Sequence, residues 1–130
     1  MKIESLIRYG VVSAVYPERA TARVVYADRQ DMVSAELPVL QGACLQRRFY
    51  SLPKVGDNVV CLMAPNGEDG SGFILGSFYS DEKKPPTTDG NKLMLNISDK
   101  LIVEFDESTS ELKIDCKGRI RINGRQVFIN

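Results

Sequence analysis

The sequence has no histidine in its 130 residues, which removes the commonest general base and with it most nucleophilic and metal-based catalysis. Cysteine is scarce and odd in number. Cys44, Cys61 and Cys116 show no C-x-x-C spacing, so neither a disulfide framework nor a zinc site is expected. Cys61 and Cys116 stand among aliphatic residues, where cysteine behaves as a small hydrophobe. Charge of one sign is also missing: 17 lysines and arginines balance 17 aspartates and glutamates, leaving no basic excess to drive sequence-independent nucleic-acid binding. No apolar run approaches the ~20 residues of a bilayer span. Met1-Lys2-Ile3-Glu4 lacks the apolar core of a signal peptide, so synthesis and folding in a cytoplasm are expected.

What is present is strand pattern. Residues 6–16 read as a first strand, turned by Pro17-Glu18-Arg19 into a second over 20–27. Residues 33–40 are a weaker third, ended or bulged by Pro38. Pro53-Lys54-Val55-Gly56-Asp57 is a turn feeding a strong fourth strand over 58–64, and a fifth follows over 73–79. Short strands without a convincing helix predict a small closed barrel over 1–79, for which a five-stranded OB-type barrel is the natural candidate. Residues 80–91 are polar, contain no aliphatic side chain and carry Pro85-Pro86, which predicts an extended linker.

Residues 92–130 alternate with a period of two. Leu93, Leu95 and Ile97, then Leu101, Val103 and Phe105, then Leu112, Ile114 and Cys116 fall on one side of their strands, with charged or polar residues mostly between them. Beyond Lys117-Gly118 come Ile120 and Ile122, and beyond Asn123-Gly124 come Val127 and Ile129, predicting further strands. Such a ribbon has a dry face and nothing within itself to cover it. It either packs as a meander on the N-terminal domain or meets copies of itself on a symmetry axis.

Other motifs weigh little. The glycines of 67–72 lack the G-K-[ST] ending and the following helix of a phosphate cradle. Arg47-Arg48-Phe49-Tyr50 sets cations beside aromatics, as single-strand binders do on an OB surface, but acidic residues interrupt any basic stripe. Asp99, Glu104, Asp106 and Glu107 alternate with apolar residues as on a solvated face, balanced by Lys113, Lys117, Arg119, Arg121 and Arg125. No catalytic, cofactor-binding or metal-ligating residue and no enzyme activity is expected.

Three segments together resemble a known family. Ile7-Arg8-Tyr9-Gly10-Val11-Val12 leading to Thr21-Ala22-Arg23-Val24 is similar to the "R-x-G-x-V … A-R-V" opening of the phage baseplate assembly protein V family. Glu36-Leu37-Pro38-Val39-Leu40 sits where that family has L-P-x-L. Pro53-Lys54-Val55-Gly56-Asp57-Asn58-Val59-Val60, followed by Gly72-Phe73-Ile74-Leu75-Gly76-Ser77-Phe78-Tyr79-Ser80-Asp81, resembles its P-x-V-G-[DE]-x-V and G-x-[VI]-L-G-x-x-[YF]-[SN]-D. These are the central spikes of contractile phage tails and tailocins, and more distantly of type VI secretion.

The resemblance implies an all-β homotrimer, with an N-terminal OB-fold barrel followed by a short C-terminal intertwined triple-stranded β-helix over 92–130. Leu93, Leu95, Ile97, Leu101, Val103, Phe105, Leu112, Ile114, Cys116, Ile120, Ile122, Val127 and Ile129 are then expected to line the trimer axis. Phe128 would turn outward as a contact for a separate small tip protein. The implied partners are its own copies, a baseplate hub and the target cell envelope, with no nucleic acid. The implied location is a virion or tailocin particle made in a bacterial cytoplasm. Family members with a needle tip hold iron through an H-x-H pair, which a chain without histidine cannot supply. About four strands per chain at ~4.8 Å spacing would give a stubby prism of ~20 Å. The rival reading is an OB-fold module that binds single-stranded nucleic acid.

Overall fold

A computed structural model describes residues 6–27, 32–64 and 70–130. The strands in chain order are β1 (Ile7–Tyr16), β2 (Thr21–Tyr26), β3 (Leu37–Pro38), β4 (Asn58–Met63), β5 (Gly72–Ser77), β6 (Lys92–Ile97), β7 (Leu101–Asp106) and β8 (Glu111–Cys116). No α-helix occurs among the described residues, and none of them forms a helix long and apolar enough to cross a membrane. The chain divides into two compact units, Met1–Lys84 and Pro85–Asn130.

The first unit is a five-stranded antiparallel sheet in the order β3-β2-β1-β4-β5. It is nearly closed: Val39 makes a parallel bridge to Ile74, and Leu40 N–H donates to the Ile74 carbonyl at 3.0 Å. Near-closure leaves few free ladder groups at the sheet's ends. Strong curvature is needed for it, and bulges at Val12/Ala14 and Val60/Cys61 supply twist and bend. Gly10 lies where β1 crosses β2 so closely that a Cβ would run into the Val25 carbonyl, so only glycine fits there.

The core fills from alternate positions of these strands. Val12, Ala22, Val24, Tyr26, Leu37, Val59, Cys61, Met63 and Ile74 are all buried and form one cluster. The Tyr26 hydroxyl donates to Met63 Sδ at 3.7 Å, and Arg8, also inward on β1, lays its guanidinium 5.2 Å from the Tyr26 ring centre. Burial pushes the Tyr26 hydroxyl pKa up and pushes that of the Cys61 thiol to about 11.

The third strand is much shorter than the expected 33–40. Only Leu37–Pro38 pairs as a strand, with isolated bridges at Val33 and Val39, because proline gives the ladder no N–H. The segment is fixed by side chains instead. Glu36 accepts from both Arg19 and the Thr21 hydroxyl, and these bonds hold its carboxyl below the usual range.

Residues 80–84, expected to begin an extended linker, are tied to the first unit. Ser80 N–H donates to the Lys83 carbonyl at 3.0 Å, Asn58 Nδ2 donates to Ser80 Oγ at 3.2 Å, and the Lys83 ammonium donates to the Gly56 carbonyl. From Pro85 to Asp89 the chain has no strand or helix and is mostly exposed. Residues 67–69 of the glycine-rich 67–72 loop lie outside the described residues, as does all of Met1-Lys2-Ile3-Glu4.

Candidate functional site

The second unit is a three-stranded antiparallel sheet, β6-β7-β8. Its hairpins turn at Ser98 and Ser110, both in the left-handed region, at φ 44° and 58°. Paired residues share a face, so the register decides which side chains stand together. Leu93 pairs Phe105 and Phe105 pairs Leu112; Leu95 pairs Val103 and Val103 pairs Ile114; Ile97 pairs Leu101 and Leu101 pairs Cys116. Three unbroken rows of apolar side chains therefore cross one face.

The opposite face is polar in the same register. Lys92, Asp106 and Glu111 make one row, Met94, Glu104 and Lys113 the next, and Asn96, Ile102 and Asp115 the third. The Lys92 ammonium is 3.7 Å from a Glu104 carboxylate oxygen. Asp106 accepts from both the hydroxyl and the backbone N–H of Ser108, which holds its carboxyl below the usual range. Glu104 and Asp106 are thus spent on strand register and turn closure. Asp99 and Glu107 sit at exposed turn positions.

No residue of Pro85–Asn130 is buried. Leu93 is 78% exposed, Leu95 61%, Leu112 62% and Ile114 55%, against 0% for Leu37, Val59 and Ile74 in the first unit. Burying such a side chain contributes about 1.5–3 kcal/mol, so rows of them left open are a large unsatisfied drive for association.

The expected strands beyond Cys116 do not form within the chain: residues 117–130 carry no strand, and Ile120, Ile122, Val127, Phe128 and Ile129 are all exposed. A strand exists only by pairing, and the edge of β8 is not joined by this segment. The nine apolar residues from Leu93 to Cys116 therefore share a face, whereas no sheet assigns a face to the four from Ile120 to Ile129 or to Phe128.

Sequence alternation gave no warning of a second apolar surface, on the outside of the first unit. Ile7 pairs Leu62, which pairs Phe73; Tyr9 pairs Val60; and Tyr9 meets Phe78 edge-on at 6.5 Å. Ile7, Tyr9, Leu62 and Phe73 are all exposed. The signal was the near-continuous apolar run of these strands, which marks sheets covered on both faces.

Between β3 and β4, the Gln41 side chain donates to the Ser51 carbonyl and accepts from its N–H, both at 3.1 Å, closing a loop that exposes Arg47, Arg48, Phe49 and Tyr50. A shallow cavity of about 360 Å³ is lined by Asp57, Asn58, Phe78, Tyr79, Lys83 and Lys84. Two of its charged groups are engaged within the first unit, Asp57 by the Lys54 N–H and Lys83 by the Gly56 carbonyl. Among the described residues no group of three or more His, Cys, Asp or Glu side chains could hold a metal. No known family model matches the chain, and no curated protein matches it.

Proposed function

We propose that the chain is a structural protein, the homotrimeric central spike of a contractile-tail baseplate like the protein V family that its sequence resembles. The observation that carries this reading is the apolar face of β6-β7-β8, three rows deep and without a buried residue in its own unit. In a trimer three such faces meet on an axis, Leu93 through Cys116 become a dry core, and backbone ladders closed around it give a stiff rod. Ile120, Ile122, Val127 and Ile129 continue that core, making the distal part an intertwined β-helix.

The first unit supports the same plan. The strand order β3-β2-β1-β4-β5, with its parallel closure through Val39 and Ile74, fits an OB-type barrel. The exposed Ile7–Leu62–Phe73 row offers that barrel a contact surface for the hub. Phe128 is the residue that a small tip protein would take. The work is mechanical: the spike is pushed through the target envelope when the sheath contracts, and this chain makes or breaks no bond.

The test is electron microscopy of particles assembled with wild-type chain or with Ile114→Asp. Particles that lose the central density beneath the baseplate support the reading; particles that keep it overturn it. The exposed Arg47, Arg48, Phe49 and Tyr50 favour a second reading, a single-strand-binding module. That reading gains if the purified chain is a monomer that binds oligonucleotides with strong salt dependence.

A further inference from the structure

Where the outer side of β1 meets the end of β5, the first unit carries a second shallow cavity, of about 400 Å³. Tyr9, Val11, Phe78, Asp81 and Glu82 are among the residues that line it. The Tyr9 and Phe78 rings lie at 82° with their centres 6.5 Å apart, so they form a corner and not a stack. Tyr9 is 56% exposed and Phe78 44%. The carboxylates are placed by a turn. Ser80 N–H donates to the Lys83 carbonyl at 3.0 Å and Lys83 N–H donates back to Ser80 Oγ at 3.2 Å, which leaves Asp81 and Glu82 in the middle. Asn58 Nδ2, at the start of β4, holds the same Ser80 oxygen. The turn's own cation is used elsewhere, because the Lys83 ammonium donates to the Gly56 carbonyl and to Asn58 Oδ1. Lys84 lines the neighbouring cavity instead. Among the described residues, no ion pair engages Asp81 or Glu82.

Two aromatic rings beside two unpaired carboxylates match one chemistry, a cation with an apolar or flat flank. A guanidinium uses all of it, since its plane stacks on a ring while its N–H groups reach a carboxylate in pairs. A quaternary ammonium would use the rings and offer the carboxylates no donor. A lysine ammonium would use the carboxylates but, being a strongly hydrated point charge, would gain less from the rings. The cavity is open, so it suits a side chain reaching in from another surface better than a free molecule that needs enclosing. We infer that this corner is a docking site for an arginine side chain on a protein partner. All its residues belong to the first unit, so the inference does not rest on the trimer reading. The bonded Ser80–Lys83 turn holds the two acids in place before the partner arrives, which lowers the cost of binding.

The test titrates the isotope-labelled full-length chain with N-acetyl-arginine amide and follows the aromatic resonances by NMR. Saturable shifts of Tyr9 and Phe78 at millimolar probe are expected, with Phe49 and Tyr50 unmoved. Asp81→Asn combined with Glu82→Gln should weaken binding about ten-fold, as the loss of charge-assisted hydrogen bonds does. Phe78→Leu should weaken it as well, and the first unit's denaturant midpoint should hold in both variants because these side chains are exposed. N-acetyl-lysine amide and tetramethylammonium should both bind more weakly than the arginine probe. Three results overturn the inference. The two rings show no saturable shift; tetramethylammonium binds as tightly as the arginine probe, which makes the corner a quaternary-ammonium site; or Asp99→Asn in the second unit weakens binding as much as the Asp81 and Glu82 changes, which makes the attraction one of general charge. Light scattering on the same samples reports the trimer reading separately.

Discussion

The two units are both antiparallel sheets with alternating apolar positions, yet in one the apolar face closes on itself and in the other it stays open. Bulges at Val12/Ala14 and Val60/Cys61 and the short β3 curl the first sheet until Val39 reaches Ile74, so Val12, Val24, Leu37, Val59 and Ile74 fill its interior. The second sheet has an uninterrupted register along both β6-β7 and β7-β8. Without a bulge or a fifth strand it cannot curl over its own face, and Leu93, Leu95, Leu112 and Ile114 stand open. The closed sheet supplies its own core, whereas the open one leaves its apolar face exposed.

The largest expected effect comes from putting a charge on the open face. In the proposed trimer, Ile114→Asp would bring three carboxylates into one dry layer, at a cost of several kcal/mol each. Loss of the trimer is expected by size-exclusion chromatography with light scattering. Lys113→Asp, on the wet face of the same strand, should leave the trimer in place. If Leu62→Asp on the outside of the first unit dissociates the trimer as fully as Ile114→Asp, the contrast between the units is wrong.

The next effect is on the closed sheet. Ile74→Ala removes a fully buried side chain at the seam and should destabilise the first unit by about 2–5 kcal/mol in denaturant titration. The second unit's transition should not move. A common shift would mean that the two units unfold together.

Much of this contrast was legible in the sequence, because strict alternation has one physical meaning. The period of two across Leu93–Ile97, Leu101–Phe105 and Leu112–Cys116 fixed a common face, and the register rows carry those residues side by side. The strands of the first unit were legible as apolar runs between turn residues, apart from the third, where Pro38 and the Glu36–Arg19–Thr21 bonds replace a ladder. Two features were not legible. The strand pattern of 117–130 describes what the segment can pair as, and no strand of the chain pairs with it. The tie of Ser80 and Lys83 to Asn58 and Gly56 depends on three-dimensional proximity that a polar, proline-containing stretch does not advertise.

Thiol chemistry gives a smaller effect that still separates the units. Cys44 is exposed and should react with a disulfide reagent at once, whereas Cys61, buried and with its pKa raised to about 11, should react only on unfolding. Cys116, at the end of an apolar row, should be protected in the assembled protein and released when Ile114→Asp dissociates it. Because the folded pKa of Cys61 lies above its ordinary 9.0, its contribution to stability is complete below that value and is lost as the pH rises through about 11.

The smallest effects are at acid pH. Bonds from Arg19 and Thr21 lower the pKa of Glu36, and bonds from Ser108 lower that of Asp106. The contribution of each carboxylate is therefore complete above its ordinary value, 4.5 and 3.8, and is lost as the pH falls through the lower folded value. Glu36→Gln should flatten the acid limb of the first unit's stability curve alone, and Asp106→Asn that of the second alone. An identical change in both transitions for either variant would contradict the assignment.

The most direct test of the open face is the mass of the unmodified full-length chain by light scattering at micromolar concentration in moderate salt. The account predicts a single species of three times the 14.5 kDa chain mass, unchanged on raising the salt, because the contact that holds it is apolar. A species of 14.5 kDa that shows no concentration dependence would contradict it.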